Sequence, residues 1–229
     1  MKLAHPVSHV IYDLDGVLLD TEQFYTQATS EIVSRWGKRF DWTVKANMIG
    51  RPSLDSARYL VEALDLPISA ERYLEMRSAR LVELFPHSPE RAGAEEFTRR
   101  LHALGVPQAI ATSSERTLFD LKSTNHSSWF SIFEAVLTGD DERVERGKPA
   151  PDIFIVTAEI LGVSPSLCLV VEDSPVGLEA ALAAGMQVVA MPDPAMDRSL
   201  YSTASLLVTS FSELDPGDLG FVGRGATAE

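Results

Sequence analysis

The chain has 229 residues, 45% of them hydrophobic and 23% charged, a globular balance that suits one large domain or a core with a smaller insert. A formal net charge of −13 argues against nucleic acid as a partner, because phosphate backbones are bound by basic patches; it leaves open a small phosphate held locally. Apolar runs reach strand length only, so no membrane span is expected, and Met1–Pro6 lacks the apolar stretch of a secretory leader.

Val10–Tyr12 reads as a buried strand that runs into Asp13 and Asp15, one residue apart, before Gly16. On extended backbone the two acids point to one face, and they repel unless a cation or a shared proton lies between them. From Thr21 to Phe85 there is no strand pattern. Phe24, Ala28, Val33 and Trp36 make one helical stripe, and Leu54, Ala57, Val61 and Leu64 a second that opens at Ser53. Leu74, Ser78, Leu81 and Phe85 make a third. Pro86, Pro89 and Gly93 then mark a return, and Ala94, Phe97, Leu101 and Leu104 form a stripe ending at Gly105. Further strands are expected at Gln108–Thr112, Ala135–Thr138, Leu167–Val171, Val188–Met191 and Leu206–Val208. Ser174, Pro175 and Gly185 bracket a helix over 176–184.

Strands alternating with helices imply an α/β fold with a doubly wound, mainly parallel sheet. The expected division is residues 1–19 and 88–229 for this core and 20–87 for an inserted all-helical cap. Cys168, the single cysteine, falls in an apolar strand, which fits a packing role and a reducing, cytoplasmic setting. A monomer is expected, with neither a membrane nor a nucleic-acid partner.

In open α/β sheets ligands bind beyond the carboxyl ends of the strands. Those ends carry Asp13 and Asp15, then Thr112, Ser113 and Ser114, then Lys148, then Glu172 and Asp173. The acids make an oxygen-rich pocket suited to Mg²⁺, and no cluster of soft ligands favours zinc. A lysine and hydroxyls beside such a pocket suit the oxygens of a phosphoryl group. No G-x-x-x-x-G-K-[ST] loop occurs, since Pro149 follows Lys148, and no G-x-G-x-x-G follows a strand. Alone, each group has a plainer role as a turn, a helix cap or a solvated charge. Four at one edge of a sheet are not coincidence.

"DLDGVLLDTE", "ATSS", "GKPAPD" and "VVEDSPVG" resemble, in order and spacing, the four motifs of the haloacid dehalogenase (HAD) superfamily, whose core is Rossmann-like. The block after the first motif resembles that superfamily's helical cap. The resemblance implies that Asp13 is a nucleophile forming an aspartyl-phosphate and Asp15 a general acid and base. It implies that Thr112 and the Ser113 N–H hold phosphoryl oxygens with Ser114 alongside, and that Lys148 neutralises charge. It gives Mg²⁺ to Asp13, the Asp15 carbonyl and Asp173, with Glu172 in or near its shell. Asp15 argues for phosphate esters and against dehalogenation, which needs no acid for its alcohol product. Tyr25 and Arg51 do not clearly match the cap histidine and arginine of β-phosphoglucomutases, so a mutase is disfavoured. "FDWTVKANMIGR", "LFP", "TGDDERVERGKPAPDIF" and "AALAAGMQVVAMPD" resemble a branch containing pseudouridine-5′-phosphatases and glycerol-3-phosphatases. The expected substrate is therefore a small phosphorylated metabolite, pseudouridine 5′-phosphate ahead of glycerol 3-phosphate or a sugar phosphate. Glu22 and Arg51 are candidate contacts to it. A non-catalytic binding module is the alternative of another class.

Overall fold

The computed structural model describes residues 3–48 and 53–221. The chain divides into two compact units, residues 1–20 with 89–229 and residues 21–88.

The first unit is a six-stranded parallel sheet. In chain order its strands are β1 (His9–Tyr12), β2 (Gln108–Thr112), β3 (Ala135–Thr138), β4 (Cys168–Glu172), β5 (Gln187–Ala190) and β6 (Leu206–Leu207). They lie side by side as β3-β2-β1-β4-β5-β6, every neighbouring pair parallel. The order reverses between β1 and β4, which makes the crevice beyond those two strands the natural ligand site. The expected strands are all present, with ends moved by one residue at β1, β4, β5 and β6.

Side chains alternate across β1 as strand geometry demands. Val10 and Tyr12 belong to a core cluster with Phe97, Leu101 and Trp129, whereas Ile11 packs in another with Phe154, Val170 and Ala181. The first face is thus covered from helices over Ala94–Ala103 and Ser127–Phe130, the second from helices over Asp152–Leu161 and Pro175–Ala183. Polar groups on the first face are paired. Tyr12 Oη donates to Gln108 Oε1 (2.9 Å), Gln108 Nε2 donates to the Thr98 carbonyl (3.0 Å), and Trp129 Nε1 donates to Thr98 Oγ1 (2.7 Å). Gly105 ends its helix at φ 73°, but Leu104, expected on the buried stripe, is 67% exposed because it belongs to that turn.

The second unit is helical: α1 (Glu22–Ser34), α2 (Trp42–Ala46), α3 (Ser53–Ala63) and α4 (Ala70–Leu84). Ile32, Val33, Ala57, Leu60 and Tyr73 form its core. On α4 the buried face runs through Tyr73, Leu81 and Leu84, and Ser78 is exposed; Leu74 lies beside the face that the stripe assigned to it. The short α2 has no apolar periodicity and owes its start to Asp41, whose side chain accepts from the Val44 N–H (3.2 Å). No helix among the described residues is long and apolar enough to cross a membrane.

Continuing the numbering, α5 is Ala94–Ala103, α6 is Arg116–Lys122, α7 is Ser127–Phe130, α8 is Asp152–Leu161 and α9 is Pro175–Ala183. Cys168 is fully buried on β4, and burial pushes its thiol up to about 12. The native protein at pH 8 should therefore resist iodoacetamide, and mass spectrometry should show full alkylation only after denaturation.

Candidate active site

Hydrogen bonding to both neighbours fixes the end of β1. The Asp13 N–H donates to the Val171 carbonyl (3.0 Å), and Tyr12 sits opposite Val171 in register. Asp13 therefore emerges beside Glu172, two acids buried together. Lys148, from the loop after β3, lies between them. Its Nζ donates to Asp13 Oδ1 and to Glu172 Oε1, each at 2.6 Å, and to the Ala111 carbonyl at the end of β2 (3.3 Å). Burial works against the ammonium, but Asp13 and Glu172 outweigh it and hold its pKa above the usual lysine value. Burial raises the Asp13 carboxyl to about 7, with Lys148 opposing and Glu172 and Asp15 adding to the rise.

Asp15 leaves on a tight turn. Gly16 adopts φ 78°, its N–H donates to the Leu19 carbonyl (2.8 Å), and its own carbonyl accepts from the Arg91 guanidinium. The Asp15 carboxylate is met by Lys122 at the end of α6, at 2.6 Å from Oδ1 and 2.8 Å from Oδ2, and by Ser114 Oγ at 2.8 Å. The two aspartates of the first motif are thus each supplied with a lysine. Their mutual repulsion is eased by two cations fixed in the chain.

Thr112 is buried, and its Oγ1 accepts from the Ser114 N–H (3.1 Å), a bond that leaves the hydroxyl proton to donate elsewhere. Ser113 is exposed at the turn; its carbonyl packs so close to Gly139 that a Cβ there would lie 2.5 Å from the oxygen. Ser114, expected beside the phosphoryl group, instead binds Asp15 and Lys122, because its position opening the turn before α6 aims it at them.

Glu172, expected in or near the metal shell, has both oxygens engaged. Oε1 takes Lys148, while Oε2 accepts from the N–H groups of Asp173 (2.9 Å) and Ser174 (3.0 Å) and from Ser174 Oγ (3.1 Å). Its carboxylate fits there only because residue 177 is glycine: a Cβ would lie 1.7 Å from Oε1. Asp173 packs over Gly16, where a Cβ would be 2.1 Å from its Oδ2, and Tyr201 Oη donates to the Asp173 carbonyl (2.7 Å). Gly16 is therefore required twice, for its positive φ and for the approach of Asp173.

Four carboxylates (Asp13, Asp15, Glu172, Asp173) face two ammonium groups, a formal excess of two negative charges that a divalent cation offsets. Among the described residues no three His, Cys, Asp or Glu side chains form a metal-holding group. A fit for Mg²⁺ thus rests on Asp13, Asp173 and a backbone carbonyl at Asp15, an all-oxygen set of the sparse kind this ion accepts. The Asp15 side chain and Glu172 serve the two lysines instead.

Glu22 opens α1 and pairs with Lys45 (3.3 Å), whose Nζ also donates to Thr26 Oγ1 (3.0 Å). Both line a cavity of about 220 Å³ within the helical unit, together with Tyr25, Ser53, Ser56 and Arg77. Arg51 lies outside the described residues.

Residues 7–185 match the family model for haloacid dehalogenase-like hydrolase. The chain belongs to that family. It is 41% identical over 219 residues to (DL)-glycerol-3-phosphatase 1, mitochondrial, of Arabidopsis thaliana, covering 93% of this chain and 74% of that one. It is likewise 41% identical over 222 residues to a probable pseudouridine-5′-phosphatase of Drosophila melanogaster, covering 96% of each. A HAD family hydrolase from Deinococcus radiodurans, solved with bound phosphate and sodium, superposes with a TM-score of 0.79 at 30% identity, over 91% of this chain and 93% of that one. The protein is accordingly a phosphatase of the HAD family, with the fold that its motifs led one to expect.

Three residues of the site carried no motif. Tyr201 and Arg91 act through backbone groups and have no sequence signal. Lys122 had one: it follows buried Phe119 by three residues, which puts a lysine on the inward face of a helix. Lys148→Met should lower stability by roughly 3–5 kcal/mol in denaturant titrations with EDTA, since it leaves two buried carboxylates without their cation. Adding Asp13→Asn in that background should recover part of the loss.

Proposed function

We propose that the protein hydrolyses a small phosphate monoester through an aspartyl-phosphate on Asp13. The observation that carries this reading is the placement of Asp13: Lys148 holds Oδ1, leaving Oδ2 outside that bond to attack, and Asp15 is fixed two residues away. Asp13 Oδ2 attacks phosphorus as the bond to the leaving oxygen breaks, and Asp15 gives that oxygen a proton. In the second half Asp15 takes a proton from water, the water oxygen bonds to phosphorus, and the Asp13–phosphorus bond breaks. The Thr112 hydroxyl and the Ser113 N–H hold phosphoryl oxygens, and Lys148 keeps the nucleophile charged and oriented. Mg²⁺ would be held by Asp13, Asp173 and the Asp15 carbonyl, and when bound it supplies positive charge against the phosphoryl oxygens.

Pseudouridine 5′-phosphate is the proposed substrate ahead of glycerol 3-phosphate. The Drosophila relative supports it. The Arabidopsis relative favours the second reading, a glycerol-3-phosphatase. The reading carries with it a monomer acting in the cytoplasm, to which a lone buried thiol is suited.

Asp13→Asn should abolish turnover while leaving the fold intact by circular dichroism, and EDTA should silence the wild type until Mg²⁺ is restored. Phospho-enzyme trapped on Asp13→Asn, or full activity in EDTA, contradicts the mechanism. In kcat/KM comparisons the wild type should prefer pseudouridine 5′-phosphate to glycerol 3-phosphate. A preference for glycerol 3-phosphate decides for the second reading.

A further inference from the structure

Lys122 is fully buried in the last turn of α6, three residues after buried Phe119. Its Nζ donates to both oxygens of Asp15 (2.6 and 2.8 Å) and to Ser114 Oγ (2.8 Å), while Ser114 Oγ donates to Asp15 Oδ2 (2.8 Å). Carboxylate, ammonium and hydroxyl close a ring in which neither oxygen of Asp15 turns without breaking a charged bond. Stability does not account for the arrangement. An ammonium taken from water into a core loses its hydration, and a well-packed apolar pair of similar volume generally serves a fold as well. The side chain that Lys122 grips is also the one whose orientation matters to proton transfer, and it is still 23% exposed, with a path to a ligand.

We propose that Lys122 is a positioning residue for phosphoryl transfer, dedicated to substrates whose leaving oxygen needs a proton. The proposal rests on the reading of Asp15 as general acid and base. In the first half-reaction the proton moves from the Asp15 carboxyl to the leaving oxygen as the phosphorus–oxygen bond breaks, and a carboxylate appears where a neutral acid stood. Lys122 meets that charge with no reorganisation, and it holds the group aimed at the same point when Asp15 later takes a proton from water. Interactions that strengthen as charge develops accelerate the step; those already complete in the bound substrate do not. An alkyl phosphate, whose alkoxide is a poor leaving group, draws on this help, and an activated aryl phosphate draws on little of it.

The test is single-turnover phosphorylation, followed by rapid quench, of pseudouridine 5′-phosphate or glycerol 3-phosphate and of p-nitrophenyl phosphate, in the Mg²⁺-loaded enzyme. Lys122→Met should slow the alkyl ester on the order of 10²-fold and the aryl ester only a few-fold. Asp15→Asn should show the same selectivity, and the double variant should be no slower than Asp15→Asn alone, because Lys122 has nothing left to position. Equal slowing of both esters by Lys122→Met overturns the proposal, as does a further loss in the Asp15→Asn background; either marks a packing role. If Asp15→Asn itself treats the two esters alike, the acid-base reading fails and the proposal falls with it, an outcome distinct from the other two. Should Lys122→Met not fold, Ser114→Ala carries the test. It removes one side of the ring at a partly exposed position, and it must slow the alkyl ester selectively, a uniform loss being the contrary result.

Discussion

One buried ammonium, that of Lys148, lets the ends of three strands meet. Parallel pairing of β1 with β4 delivers Asp13 and Glu172 side by side whether or not electrostatics favours it, and the crevice offers little water to screen them. Two like charges a few ångströms apart in such a setting repel by several kcal/mol. Lys148 turns that repulsion into two short charged bonds and ties in the β2 carbonyl at Ala111. Glu172 has a structural share in this: its other oxygen accepts from the N–H groups of Asp173 and Ser174, the two residues that precede α9, so the cation is linked to the approach to a helix as well as to strands. The glycines at 16 and 177 are the steric conditions of the same arrangement, each opening space that a carboxylate fills.

The charge pattern extends this logic. The site holds two separate acid–lysine sets, one about the nucleophile and one about its neighbour, with Asp173 against the glycine turn. A surplus of negative charge therefore remains at the point where a phosphate, itself an anion, has to arrive. Such a site asks for a cation to come with or before its substrate, and the donor atoms that remain are hard oxygens.

Much of this was legible in the residues. Apolar runs located the strands, and reactive side chains at their ends located the crevice, because a parallel sheet has one functional edge. Regular stripes also located α1, α3 and α4 of the second unit. What escaped had physical reasons. The five-residue α2 is set by a cap and has no face to display. Ser78 kept the period of a stripe that the fold turned outward. The roles of Ser114 and Glu172 depended on Lys122 and on the α9 N-terminus, partners supplied by tertiary structure and not by spacing. Tyr201 reaches its carbonyl from 28 residues away, a distance over which pattern carries nothing.

The nucleophile's strand has a neighbour on either side, bonded along its length, whereas β6 at the sheet's margin spans only two residues. Amides in a doubly flanked strand exchange with solvent only when the whole sheet opens, while a short margin opens locally at little cost. Fraying will thus begin far from Asp13, and the loss of a competent nucleophile becomes an all-or-none event tied to collapse of the sheet. A protein built this way ages by dropping molecules out of the active pool, and those that remain work at full rate.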